Sequence, residues 1–240
     1  MKLDDVKKLH QKKYRNELGH FLVEGEHLVL ELQKAAESNK SLRSCELFVT
    51  ENYADWKSEF PLTVVSEKQM MQISDTKSPQ GIVAVAPFFS AAAQKNVNER
   101  TIYLYEIQDP GNLGTILRTL AWFGNFRCIL SANSVDPYNP KVVRASMGAI
   151  FHVPIELDFA VSELKNRFSH IACLDMQGDT LAAPTFKEFE CYVFGNEARG
   201  IPRETLMALK AKAFTIQGAG SIESLNLASA VNICAYELNR

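Results

Sequence analysis

Thr101–Gly124 reads TIYLYEIQDPGNLGTILRTLAWFG, and the fold turns on how this stretch is read. Ile102–Ile107 is a short apolar run of β-branched and aromatic residues, a Pro-Gly turn follows it, and apolar residues then recur at helical spacing. A strand that leaves through a tight turn into a helix is the first half of a βαβ unit. Asp109, Pro110 and Gly111 form the turn. Asn112 is expected at the helix N-cap, where its side-chain oxygen accepts from free backbone N–H groups. Arg118 follows Gly114 by one helical turn on the same face. Its side chain, leaning toward the N-terminus, can pass over the bare glycine to the helix start, where the helix dipole and a guanidinium together favour an anion. The same pattern also fits a plain βα turn with Arg118 paired to a surface carboxylate.

Working outward, strands are expected at Arg127–Leu130, His170–Leu174, Cys191–Phe194 and Ala213–Ile216, with helical segments between them and a last helix over Ser224–Leu238. Alternating strands and helices with short connections predict a parallel sheet covered on both faces. Ligands in such sheets bind at the carboxyl ends of the strands, which directs attention to the loops after Ile107, Phe194 and Ile216. The loop after Phe194 carries Gly195, Glu197 and Gly200, with Pro202 suited to the first turn of the next helix. Alone, it also reads as a Gly-flanked turn with a solvated glutamate. The loop after Ile216 contains Gly218-Ala219-Gly220, but the third glycine of a dinucleotide fingerprint would fall on Glu223, and no completing βαβ unit follows. A nicotinamide site is excluded. Ser224 and Asn226 then open the last helix, where a capping role is the plain alternative.

Toward the N-terminus, residues 90–99 (SAAAQKNVNE) are small and polar, and they separate two α/β regions. The expected organisation is an N-terminal domain over 1–92, a linker at 93–99 and a second domain over 100–240. The first region opens on a helical stripe (Leu3, Val6, Leu9 or His10, Tyr14, Leu18) with Lys7, Lys8, Lys12 and Arg15 largely off it. A helix over Glu26–Ser38, strands in CELFVT and LTVVS, a helix at Glu67–Ile73 and a strand in GIVAVA complete a small α/β sandwich.

The 240 residues carry a formal net charge of −2, so nucleic acid would be met by a local basic patch rather than by the whole surface. The five cysteines are scattered and never in C-x-x-C spacing, which argues against a disulfide framework or zinc knuckle and fits a reducing cytoplasm. The histidines show no ligand spacing, so no metal is expected. No signal peptide and no apolar run of bilayer length is apparent.

Taken in order and spacing, the three loops resemble the SpoU/TrmH family of RNA ribose 2′-O-methyltransferases, within the SPOUT superfamily. The first family motif reads Asn112-x-Gly114-x-x-x-Arg118. The second reads Gly195-x-Glu197-x-x-Gly200-Ile201, and the third is Ile216 followed by Ser224-Leu225-Asn226. PKVVRASMGAIFHVPI, from Pro140 to Ile155, resembles the family as well. The resemblance spans residues 100–240, and FLVEGEHLV and SPQGIVAVA resemble the ribosomal-protein-like RNA-binding domain of rRNA-modifying members.

The resemblance implies a parallel sheet with a C-terminal trefoil knot, an exception to the general absence of knots. It implies S-adenosylmethionine as cofactor, bound at Gly195, Ile201, Ile216 and Leu225, and a homodimer. Catalytic roles fall to Arg118, Asn112, Glu197, Ser224 and Asn226. RNA contacts would come from Lys7, Lys8, Lys12, Lys13 and Arg15, with Arg144. The substrate is structured RNA, rRNA in preference to tRNA. Two departures stand out: Gln217-Gly218 where Pro-Met is common, and Ala228 where a serine usually follows. With Arg118, Ser224 and Asn226 retained, activity is expected to survive. The alternative is an RNA-binding or ribosome-assembly factor that has lost catalysis on the same fold.

Overall fold

A computed structural model describes residues 1–89 and 99–240; apart from Glu99, the linker expected at 93–99 lies outside the described residues. The first half of the chain runs α1 (Leu3–Lys8), α2 (Lys12–Leu18), β1 (His20–Glu24), α3 (Glu26–Ser38), β2 (Glu46–Val49), β3 (Leu62–Val64), α4 (Glu67–Ile73), β4 (Ile82–Pro87). Then come β5 (Arg100–Leu104), α5 (Pro110–Phe123), β6 (Phe126–Leu130), α6 (Pro140–Ser146), β7 (Ile155–Glu156) and α7 (Leu164–Arg167). The chain ends with β8 (Ile171–Thr180), β9 (Cys191–Phe194), α8 (Arg203–Leu209), β10 (Lys212–Thr215) and α9 (Leu227–Asn239). Contacts divide it into two compact units, one of Met1–Ala92 with Asp136–His152, the other of Ala93–Val135 with Val153–Arg240.

The first unit is built on a mixed sheet ordered β1-β4-β2-β3, in which β4 runs antiparallel to β1 and β2 while β3 is parallel to β2. Side chains alternate across it. Leu22, Phe48, Val83 and Val85 meet Val6 and Leu9 at the end of α1 and Met70 and Ile73 of α4. A capping box fixes α4, with Ser66 and Gln69 each satisfying the other's backbone N–H. The N-terminal stripe does not form one helix. Arg15 donates through Nη1 to the carbonyls of Leu9 (2.8 Å) and His10 (2.9 Å), the acceptors that a continuous helix would have used for its own N–H groups, and the chain breaks there.

Arg15 is only 2% exposed, and its Nε donates to Asp136 at 3.0 Å. It therefore has no guanidinium edge to offer a phosphate, which corrects its placement among the RNA-binding cations. Arg144 is engaged in the same unit, with Nη2 2.7 Å from Asp75 and Nη1 3.8 Å from Glu24. Both pairs tie residues 136–152 to the N-terminal chain, as does Tyr138, whose ring stacks on Phe88 at 4.4 Å and lies 4.8 Å from Phe21. Removing one member of a buried ion pair strands the other charge and costs roughly 3–5 kcal/mol. Asp136→Asn is accordingly expected to lower the urea midpoint of unfolding by an amount equivalent to about 3 kcal/mol. An unchanged midpoint would mean that the pair contributes nothing.

The second unit holds a six-stranded, all-parallel sheet ordered β10-β8-β9-β5-β6-β7. β6 and β9 are buried along their whole lengths, as the interior strands of a sheet covered on both faces must be. On α5, Leu113, Ile116, Leu117 and Leu120 face the core. The first strand stops at Leu104, short of the expected Ile107, because Glu106 takes a positive φ of 49° and turns the chain. β8 is longer than expected. Its pairing with β10 jumps from Ala213↔Cys173 to Phe214↔Asp179, so residues 174–178 leave the ladder as a bulge. Among the described residues, no helix is long and apolar enough to cross a membrane.

Candidate active site

The helix that follows β5 starts earlier than expected. Asp109, not Asn112, is the N-cap: its carboxylate accepts from the Asn112 N–H at 2.7 Å, and Pro110 occupies the first turn. An aspartate before a proline is the stronger start signal, since Asp caps the free N–H groups and Pro is pre-set for the first helical position. Asn112 is thus released from capping, and its side chain works between loops. Its Nδ2 donates to Glu197 Oε1 at 3.3 Å, and its Oδ1 accepts from Asn226 Nδ2 at 2.9 Å. Glu197 also accepts from the backbone N–H groups of Gln108 (3.3 Å) and Asp109 (3.4 Å). Asn226 is itself the N-cap of α9, accepting from Ser229 N–H at 3.2 Å. A single hydrogen-bonded chain, Glu197–Asn112–Asn226, therefore joins the three loops.

Arg118 lies on the same helix, outside that chain. It is exposed and has no hydrogen-bond or ion-pair partner among the described residues, so the plain reading of a surface carboxylate partner does not hold there. The helix start is not the open anion site expected, because Asp109 takes the Asn112 N–H and Glu197 adds a second carboxylate beside it. An anion must be met by the guanidinium itself. Such a group, permanently charged and carrying a fork of N–H donors, suits a phosphate.

Of the expected cofactor positions, Gly195, Ile201 and Ile216 are partly buried, and Leu225 is 45% exposed. Gly195 lies directly under the backbone of Gly200 and Ile201. Within residues 216–225 no backbone N–H or C=O has a hydrogen-bond partner among the described residues, which leaves a row of donors and acceptors open to a ligand. Such a row of donors and acceptors, with Ile216 and Leu225 at its two ends, is the kind of edge an adenine ring requires. Ser224 is exposed in this loop and makes no hydrogen bond to the Glu197–Asn112–Asn226 chain among the described residues. Gln108, Asp109 and Asn196 belong to the site although sequence reasoning passed over them. The Asp-Pro pair alone carried a readable signal. The cysteines are not nucleophiles: all are buried, and burial pushes the Cys45 and Cys128 thiols up to about 12.

The strand-end loops of a parallel sheet bring a carboxylate and two amides together, and α5 carries an exposed guanidinium with no partner among the described residues, a set of groups suited to an α/β enzyme that handles an anionic substrate. Residues 99–236 match the model of the SpoU rRNA Methylase family, and residues 2–84 match an MRM3-like substrate binding domain. The chain belongs to the SpoU rRNA Methylase family and is an RNA methyltransferase. It is 32% identical to the 23S rRNA (guanosine(2553)-2′-O)-methyltransferase RlmP of Bacillus subtilis, over 99% of this chain and 95% of that protein. Among solved structures, a TrmH-family protein from Porphyromonas gingivalis superposes with a TM-score of 0.81 at 31% identity, covering 99% of this chain and 96% of that one. An AdoMet-bound rRNA methyltransferase from Sinorhizobium meliloti gives 0.82 at 27% identity, covering 98% and 93%.

Proposed function

We propose that this chain methylates a ribose of large-subunit ribosomal RNA. The reaction is transfer of a methyl group from S-adenosylmethionine to a ribose 2′-hydroxyl. The observation that carries the reading is the Glu197–Asn112–Asn226 chain, together with an Arg118 on the same helix as Asn112 that has no partner among the described residues. The likeness of the first unit to the MRM3-like substrate binding domain and of the whole chain to RlmP favours rRNA over tRNA.

When bound, S-adenosylmethionine would supply an electrophilic methyl on sulfur with a neutral thioether as leaving group, and the 2′-hydroxyl proton would pass to solvent as the new O–C bond forms. The protein's task is placement. Arg118 grips the phosphate next to the target ribose and so fixes the 2′-oxygen. It acts as a hydrogen-bond donor and is no general base, since a guanidinium offers donors and no acceptor. Glu197, Asn112 and Asn226 orient the ribose and the loops, with Ser224 joining from the third loop. Gly195, Ile201, Ile216 and Leu225 form the cofactor cradle.

The working unit is a homodimer. In support, Trp122 on α5 is 84% exposed, and on α9, which packs against it, Ile233 and Tyr236 are 41% and 57% exposed, more apolar surface than a lone helix pair leaves uncovered. The knotted C-terminal path implied by the family belongs to the same reading, supported by a strand order that sets β8 between β9 and β10. Free, buried cysteines agree with a cytoplasmic site of action.

Lys7, Lys8, Lys12 and Lys13 form the proposed RNA-facing patch, without Arg15 and Arg144. Lys7 and Lys8 pair with Asp4 and Asp5 one turn away, exposed pairs that a phosphate readily displaces, and Lys8 also lies 6.0 Å from the Tyr14 ring centroid. Replacing Lys12 and Lys13 by Gln should flatten the dependence of log affinity on log salt by about one unit per lost phosphate contact. An unchanged slope would remove the patch from the interface. The reading as a whole is tested by incubating rRNA and tRNA with labelled S-adenosylmethionine and mapping ribose methylation. Transfer to tRNA alone would overturn the substrate, and rRNA binding without transfer would assign the chain to the assembly factors.

A further inference from the structure

Asn196 is 7% exposed at a strand-end loop, and both the nitrogen and the oxygen of its side-chain amide are engaged. Nδ2 donates to the Glu106 carbonyl at 2.7 Å, while Oδ1 accepts from the N–H groups of Ala198 (3.0 Å) and Arg199 (3.1 Å). Its backbone pairs with Gly200 in both directions, at 3.1 and 2.9 Å. One end of the amide thus shapes the 196–200 turn and the other clasps that turn to the loop after β5. The orientation of the amide follows from its partners: two N–H groups need an acceptor and one carbonyl needs a donor.

The clasped residue is unusual in its own right. Glu106 holds a positive φ of 49°, its N–H donates to Ser131 Oγ at 2.7 Å, and its carboxylate accepts from Arg199 Nη2 at 2.8 Å. Its carbonyl accepts a second bond, from Gln108 Nε2 at 3.0 Å. An L-residue stays in that conformation only where its surroundings over-determine it. Two and three residues further on, the backbone N–H groups of Gln108 and Asp109 meet the carboxylate of Glu197, the residue after Asn196. The two loops are therefore joined at adjacent points, and the first sets the reach of the second.

We infer that Asn196 is a positioning residue of the reaction, its side-chain amide holding Glu197 against the first loop and Asn112. This rests on the methyl-transfer reading given above. Asn196→Asp keeps the acceptor for Ala198 and Arg199 but turns the donor into a carboxylate oxygen facing a carbonyl. Asn196→Ser keeps a short acceptor that cannot span to Glu106, and it carries the test should the aspartate variant not fold.

The experiment measures kcat, the S-adenosylmethionine Kd and the melting temperature of each variant, alone and combined with Glu197→Gln. The expected result is a kcat lowered about 10–50-fold, a Kd within about threefold of wild type and a melting shift of less than about 4 °C. In the Glu197→Gln background the Asn196 substitution should lower kcat less than about threefold further, because its effect passes through Glu197. Equal losses in both backgrounds would overturn the inference, as would an unchanged kcat or a kcat that falls only in step with stability. Wild-type protein without methyl transfer would overturn the proposed reaction and this inference together. An active wild type with independent losses overturns the inference alone.

Discussion

Arg118→Ala is expected to lower turnover on rRNA by about 10²–10³-fold while leaving the Kd for S-adenosylmethionine within about threefold of wild type. The size follows from what the side chain has to do. A positioned charged donor in a site of this kind is worth roughly 10²–10³ in rate, and misplacing a reacting atom by an ångström costs about as much. The selectivity follows from geometry. Arg118 is exposed, makes no hydrogen bond or ion pair among the described residues and stands outside the Glu197–Asn112–Asn226 chain, so its removal disturbs neither that chain nor the 216–225 loop. For the same reason the variant should melt with the wild type. Arg118→Lys tests the fork rather than the charge: a point charge cannot hold two phosphate oxygens in fixed geometry, so it should recover only part of the lost rate. Single-turnover methylation with saturating cofactor, alongside calorimetric titration of S-adenosylmethionine, separates the two quantities. Equal turnover in Arg118→Ala and wild type would take the guanidinium out of the mechanism.

Where the physics is local, the sequence could be read closely. The Ser66–Gln69 capping box bounds α4 at the residues expected, and the apolar run Cys191–Phe194 is a buried strand because a strand covered on both faces accepts four apolar residues in a row. Asn112 was placed wrongly as a cap for a reason that was also local: both Asp109 and Asn112 can cap, and the proline after Asp109 decides between them. Arg15 shows the opposite limit. Among Lys12, Lys13 and Arg15 nothing in the sequence marks the one that turns inward, because its partner, Asp136, is a hundred and more residues away. The membership of 136–152 in the first unit is hidden in the same way, since Tyr138 and Asp136 find their partners only in the folded chain. Within the site, motif spacing pointed to Asn112, Glu197 and Asn226, and their direct bonding is what the fold adds. Asn196 escaped notice because its side chain acts on a carbonyl, and a carbonyl has no residue type to search for.

Gly195→Ala is expected to weaken S-adenosylmethionine binding at least about tenfold and to lower turnover further still. A Cβ built on Gly195 would lie 2.6 Å from the carbonyl carbon of Gly200, 2.7 Å from its Cα and 3.0 Å from Ile201 N. Those are backbone atoms, and no rotamer change can move them aside. The 196–200 turn must shift outward, and it carries with it Ile201, which flanks the proposed cradle, and Glu197, which spans to Gln108, Asp109 and Asn112. The cofactor loses one wall, and the Glu197–Asn112–Asn226 chain loses its first link. Steric strain in a packed turn adds roughly 1–3 kcal/mol of instability, so the melting temperature should fall as well. That fall alone would not distinguish cradle from scaffold, and Gly200→Asn supplies the contrast. Gly200 has a φ of +64° with open space where its Cβ would lie, a conformation that asparagine tolerates. That variant should bind cofactor much as wild type does, although it alters the same turn. If Gly195→Ala melts lower yet titrates S-adenosylmethionine with wild-type affinity, the turn is scaffold only and the cofactor is held elsewhere.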